Sequence, residues 1–304
     1  MRRKYIPRYA VLLALVLNGM RAAAQEPQYS VRNRWQLSLL TGDEQQNLHW
    51  SIAGNSYGQN PNVYSELKWK QTGGPSLHAN LQWKASGRWT FFADGSRVFI
   101  SGGQVSDIDY GGNDRTNITY RQQFGSDKGN TVSWSAGAGY CFVQHRRLCL
   151  NVYVGYGINY QSFYLVDHSG MYAALNSSYK TGWSGPLVRP GAVVQLARRL
   201  QLTAELQYSQ LDYGAKADWN LVQSFSHPVS FRHTAKGYGV DALLGFQYSL
   251  CRYISVQVRA GYFNRQTGTG VDQLYLASGQ TDKTLLNGVG TDGGYMSGGL
   301  SIVF

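Results

Sequence analysis

Hydrophobicity in this chain alternates with a period of two over stretches longer than a soluble strand. From Leu148 the even positions read Leu148, Leu150, Val152, Val154, Tyr156, Ile158 and Tyr160, while the odd ones read Cys149, Asn151, Tyr153, Gly155, Gly157, Asn159 and Gln161. The pattern recurs over Leu200–Tyr208, Tyr238–Tyr248 and Ile254–Tyr262. Successive side chains of a strand point to opposite faces, so each segment carries one apolar face and one polar or small face. Strands of a soluble sandwich are typically ~5–6 residues long, and their inner face does not suit Glu205, Asp241, Arg259 and repeated glycines. An apolar outside around a wet inside is what a sheet in lipid requires, because only closure into a barrel satisfies every backbone group there.

The N-terminus fits export. Arg2, Arg3, Lys4 and Arg8 precede an apolar run at 10–17, and Ala22-Ala23-Ala24 follows. This is the charged, apolar and small-residue order of a secretory signal peptide, and the run is far short of the ~20 residues of a spanning helix. Cleavage is expected before Gln25, giving residues 1–24 as signal peptide and 25–304 as an outer-membrane barrel. Removing five basic residues and no acid takes five from the formal +11 and leaves +6. With no Lys/Arg run in the mature part, nucleic acid is not an expected partner. An aromatic content of 13% argues against disorder. The expected compartment is the bacterial outer membrane.

Connections alternate between short and long. Tight turns are expected at Lys84–Arg88, Val143–Arg147, Ala197–Leu200 and Leu250–Arg252, and long polar connections at 42–62, 102–116, 166–178, 212–232 and 266–290. Four turns and five loops join ten strands, so the fold class is an all-β, single ten-stranded antiparallel transmembrane barrel with long extracellular loops and both termini on the periplasmic side. A break in the second strand is expected at Gly73-Gly74-Pro75. The chain closes on Leu300, Ile302 and Phe304 at alternate positions, an ending that resembles the assembly signal of bacterial outer-membrane barrels. Cys141 and Cys149 flank the second turn and both point inward. They are either paired across the hairpin, which an exported chain permits, or free thiols. Cys251 is left over and also expected to point inward. No Cys/His spacing suggests a metal.

Several segments then point to a family. Ser65-Glu-Leu67-Lys-Trp69-Lys70 resembles a Ser-x-Leu-x-Trp-Lys stretch of the omptins, ten-stranded outer-membrane proteases. Trp83 before the first turn, Tyr179-Lys180 and Tyr208-Ser209 fall into the same order. Gly102-Gly103-Gln-Val-Ser-Asp107-Ile-Asp109-Tyr110 resembles the omptin catalytic loop. The resemblance implies that Asp107 and Asp109 position a water, while the Asp-x-His pair of the opposite rim falls on Asp218 and Asn220. It also implies that the pocket for a basic side chain falls on Lys216 and near Gln46, with Glu44 close by. Lipopolysaccharide is implied as an activating partner, meeting basic groups such as Lys180 or Arg189, and no metal or other cofactor is called for. The expected molecule is monomeric and acts, if at all, on extracellular peptide or protein.

The chain departs from that pattern at the chemistry. Asn220 stands where the general base belongs, and an amide does not take up a proton near neutral pH. Lys216 would repel a basic substrate. The His-Pro segment that follows the acid pair in omptins is replaced by 112–117, and Ser162, Phe163 and Tyr164 replace charged lipid-contacting residues. His227 or His233 could stand in for the base, although both read as ordinary rim residues. Two functions follow: an omptin-type endopeptidase with an altered or degraded site, or a non-catalytic barrel serving as adhesin, receptor or narrow pore. They are separated by whether a His reaches Asp218 while facing Asp107 and Asp109.

Overall fold

The computed structural model describes residues 34–304 apart from 86 and 87; the expected signal peptide lies outside the described residues. Among these the alternating segments form twelve antiparallel strands. They are β1 (Arg34–Ile52), β2 (Ser65–Lys84), β3 (Trp89–Phe99), β4 (Gly102–Gly112), β5 (Thr116–Gly125), β6 (Gly129–His145), β7 (Leu148–Val166), β8 (Asn176–Ala197), β9 (Leu200–Asp218), β10 (Phe231–Ser249), β11 (Ile254–Tyr275) and β12 (Thr281–Val303). The expected ring of ten is formed by β1, β2, β3 and β6 to β12, with β1 paired to β12 on one side and to β2 on the other. The seam is stitched to the last residue, since Trp35 and Phe304 exchange backbone hydrogen bonds of 2.9 and 3.0 Å. The short turns fall where expected: Arg146-Arg147 joins β6 to β7 and Arg198-Arg199 joins β8 to β9.

Of the two additional strands, β4 lies in the segment expected to be a loop at 102–116, and β5 starts at its end and occupies the beginning of the strand expected to follow. β4 continues β3 past Ile100-Ser101 and pairs with the upper half of β2, while β5 pairs with β4 and leads into β6. β5 meets β7 only at Gly125 and Val166. The β4–β5 hairpin therefore rises from the rim, held to β2 and almost free of β7. The break in β2 is present too, but the ladder slips between Lys70 and Gly73, around Gln71 at φ +52°, just before Gly73-Gly74-Pro75.

The long loops are the main correction. The observed connections are 53–64, 113–115, 167–175, 219–230 and 276–280, so most of 266–290, about half of 42–62 and both ends of 212–232 are strand. The cause is an inversion of the hydrophobic pattern. In lower β1, Trp35, Leu37 and Leu39 face lipid while Gln36 and Ser38 face the lumen. Higher up, Asp43, Gln45, Asn47 and His49 face outward while Leu48 and Trp50 are buried inside. Lipid rewards an apolar outside and water a polar one, so the faces exchange roles where the barrel leaves the membrane. The period survives and only its phase changes, which a one-phase reading takes for a loop.

Candidate functional site

The lumen is filled in layers. Above the membrane, Leu48, Trp50, Leu67, Trp69, Val105, Phe163, Tyr179, Trp183, Tyr213, Phe231 and Leu286 converge from strands around the ring into one buried cluster. Trp69 stacks on Tyr179 at 5.3 Å and Trp50 meets His233 edge-on at 4.9 Å. Beneath lies an amide and hydroxyl layer: Gln46 donates to Thr131 (2.7 Å), Gln161 to Gln46 (2.7 Å), and Thr181 and Trp183 donate to Gln161 (2.8 and 3.1 Å). Below that, Arg189 reaches Asp94 at 3.0 Å and Glu205 at 3.7 Å, and Arg265 reaches Asp241 at 3.7 Å. At the base Ser38 and Ser301 share a 2.6 Å hydrogen bond. Cys141 and Cys149 form a disulfide with Cα atoms 6.1 Å apart, whereas Cys251 is free and exposed in its turn rather than directed inward.

The acid pair sits beside the upper core. Asp107 and Asp109 both take the inward register of β4, opposite Leu67 and Ser65 of β2. Asp107 is 8% exposed, and burial first, then the neighbouring Asp109 charge, push its carboxyl up to about 7. Burial also raises Asp109, against the pull of a hydrogen bond from Ser65. Such a pair can hold one shared proton near neutral pH.

The opposite rim is arranged differently. Along β9, Tyr213, Ala215 and Ala217 fill the lumen, so Lys216 and Asp218 fall on the outward register. Asp218 meets His227 Nδ1 at 2.6 Å, both partly exposed, and among the described residues no hydrogen bond or ion pair joins either to Asp107 or Asp109. Asn220 ties loops together: its side-chain oxygen accepts from Asn176 N–H and the Ser177 hydroxyl, both at 3.0 Å, and its amide donates to Ala174 C=O at 2.8 Å. Glu44 and Gln46 point into the lumen, buried beneath the core, and are not brought together with Lys216. Arg189 also points inward and cannot meet a lipid headgroup, unlike the exposed Lys180.

His233 is not a rim residue. It lies on the inward face of β10, 1% exposed, with Nδ1 2.8 Å from the Tyr179 hydroxyl and Nε2 3.2 Å from Asp272. Tyr179 in turn shares a 2.6 Å hydrogen bond with Tyr213. The signal for this network was the inverted phase that puts Phe231 and His233 on the same face as the core. Among the described residues no group of three or more His, Cys, Asp or Glu side chains could hold a metal.

Comparison with known proteins supports this architecture. The model of a family described as "Pom: Protochlamydia outer membrane protein" matches residues 39–304. The outer membrane protease OmpT of Escherichia coli superposes with a TM-score of 0.70 at 12% identity, covering 91% of this chain and 99% of that one. The outer membrane protein OprG of Pseudomonas aeruginosa gives 0.35 at 12% identity, covering 90% and 96%. The translocator domain of the autotransporter NalP of Neisseria meningitidis gives 0.39 at 11% identity, covering 97% and 94%. No curated protein sequence matches. The OmpT likeness, at this identity, establishes a shared barrel fold and nothing finer.

Proposed function

The chain belongs to the Protochlamydia outer membrane protein family and is a β-barrel of the bacterial outer membrane; from that premise we propose that it is a closed surface barrel, of adhesin or receptor type, rather than a pore or an omptin-type protease. The observation that carries this reading is the filled lumen. A conducting barrel needs a continuous wet path, and here an aromatic cluster, a hydrogen-bonded amide layer and a layer of paired charges stand across it in turn. A water-activating site needs its base and its acids around one water, and here Asp218 lies on the outward register while Asp107 lies inward. Asn220 acts as a loop tie.

Lipopolysaccharide remains the proposed partner, with Lys180 kept and Arg189, which faces the lumen, replaced by two neighbours of Lys180. Lys180, Lys216 and Arg232 stand directly opposite one another on the outer face of β8, β9 and β10, all exposed. Like charges so opposed destabilise a sheet, and phosphates offset the repulsion through charge-assisted hydrogen bonds. Extracellular peptide or protein is the proposed ligand class of the rim. An endopeptidase is the second reading, and the His227–Asp218 couple favours it, since that carboxylate can orient a base.

The test is incubation of the refolded barrel with lipopolysaccharide and a mixed peptide library. The adhesin or receptor reading expects no cleavage. Cleavage that Asp218→Ala abolishes would overturn it. In parallel, K180Q/K216Q should weaken lipopolysaccharide binding by about thirtyfold, each of the two lost charges near an anionic surface counting for roughly 1 kcal/mol.

A further inference from the structure

We infer that the periplasmic rim is a docking surface for anionic phospholipid headgroups of the inner leaflet. The short turns present Arg88, Arg146, Arg147, Arg198, Arg199 and Arg252, all exposed. No Asp or Glu occurs in 81–90, 140–151, 193–203, 246–256 or 300–304. Among the described residues none of the six arginines enters an ion pair. The acids that neutralise charge elsewhere in the barrel, such as Asp94 and Glu205, are held in the lumen by Arg189.

Position selects the occupant. Trp35 stacks on Trp83 at 5.5 Å, Trp83 on Phe91 at 5.2 Å, and Trp89 meets Tyr140 at 5.1 Å, all on the outward face just above the turns. Such a girdle marks the boundary of the hydrocarbon. Arg146-Arg147 and Arg198-Arg199 are complete two-residue turns, too short to project into the periplasm. Their guanidinium groups therefore lie in the headgroup layer itself. Arg88 is anchored there by a 3.3 Å hydrogen bond to Phe142 C=O, and Arg252 lies over the Tyr253 ring at 5.4 Å. The planar fork of a guanidinium matches a phosphate diester bidentately. An acid-free ring of such forks at headgroup depth selects lipids with net negative charge over zwitterionic ones. Peptidoglycan, the other polyanion of that compartment, lies beyond the reach of two-residue turns.

The test is native mass spectrometry of the protein refolded in micelles with equal phosphatidylglycerol and phosphatidylcholine. The expected result is enrichment of retained phosphatidylglycerol by about tenfold, lost in R146Q/R147Q/R198Q/R199Q and reduced but not lost when the same four positions become lysine, which keeps the charge without the fork. Equal retention of the two lipids by the wild type overturns the proposal, as does undiminished enrichment in the glutamine variant. Sedimentation with purified peptidoglycan sacculi that the glutamine variant loses, while its lipid enrichment is unchanged, also overturns it. If the glutamine variant does not fold, salt carries the test on the wild type. Raising ionic strength from roughly 0.05 to 0.5 M should erase the enrichment, and persistence overturns the inference.

Discussion

At the scale of single residues, burial separates side chains that the sequence presents as equals. His227 and His233 both look like rim histidines, yet one pairs with Asp218 in partial solvent and the other lies inside an aromatic core against Asp272. Truncating His233 leaves a cavity in the aromatic core and takes the partner from the Tyr179 hydroxyl. His233→Ala should therefore cost about 3–5 kcal/mol in urea unfolding. Asp218→Ala, which removes a partly exposed pair, should cost under about 1 kcal/mol. Asp107 gives a pH signature. Its folded-state value of about 7 lies above the ordinary 3.8, so its protonated form favours the fold fully below pH ~4, and this contribution is lost as pH rises through about 7. Asp107→Asn should match the wild type at pH 4 and exceed it at pH 8, by at most about 4 kcal/mol at 1.36 kcal/mol per unit. A wild-type stability that rises between pH 4 and 8 relative to this variant would contradict the assignment.

At the scale of the element, the strands show how one period serves two solvents. Prolines in β8 illustrate the local cost: the β8–β9 ladder lapses at Pro186 and again at Pro190, where the missing N–H leaves no bond to make. The seam between β1 and β12 depends on backbone approach. A Cβ at Gly299 would collide with the Leu39 carbonyl and the Leu40 Cα, and one at Gly42 with the Met296 carbonyl. Gly299→Val should thus cost several kcal/mol by opening the closure, of the order of ~3 kcal/mol for an overpacked site, read as lost heat-modifiable migration on a gel. The Cys141–Cys149 bridge spans a sequence separation of 8 across a hairpin already closed by its ladder. Reduction should leave the barrel folded and lower its stability by less than about 3 kcal/mol, the chain-entropy value for a short loop. Unfolding on reduction would show that the ladder alone does not hold the turn.

At the scale of the whole molecule, the plug makes a prediction of its own. The wild type in a planar bilayer should show no steady ohmic conductance. Replacing core aromatics together, as in Trp50→Ala with Trp69→Ala, should not open a pore, because the amide layer at Gln46 and Gln161 and the Arg189 cluster still close the lumen below. Steady single-channel steps from the wild type would overturn the closed-barrel reading.

Barrel class, the outer-membrane location, the ring of ten and the positions of the short turns were all legible in the sequence, because the membrane imposes one period and one phase on every strand that crosses it. Site candidates such as Asp107 and Asp109 were legible as residues, through their shared face two positions apart. Their burial was not. The extent of the strands above the membrane, the outward turn of Lys216 and Asp218, the inward turn of Arg189 and the burial of His233 were decided only by the tertiary structure. Water and lipid reverse the sign of the preference for an apolar outer face. Where the barrel passes from one to the other, a residue's direction depends on register and closure, which its neighbours in sequence do not record.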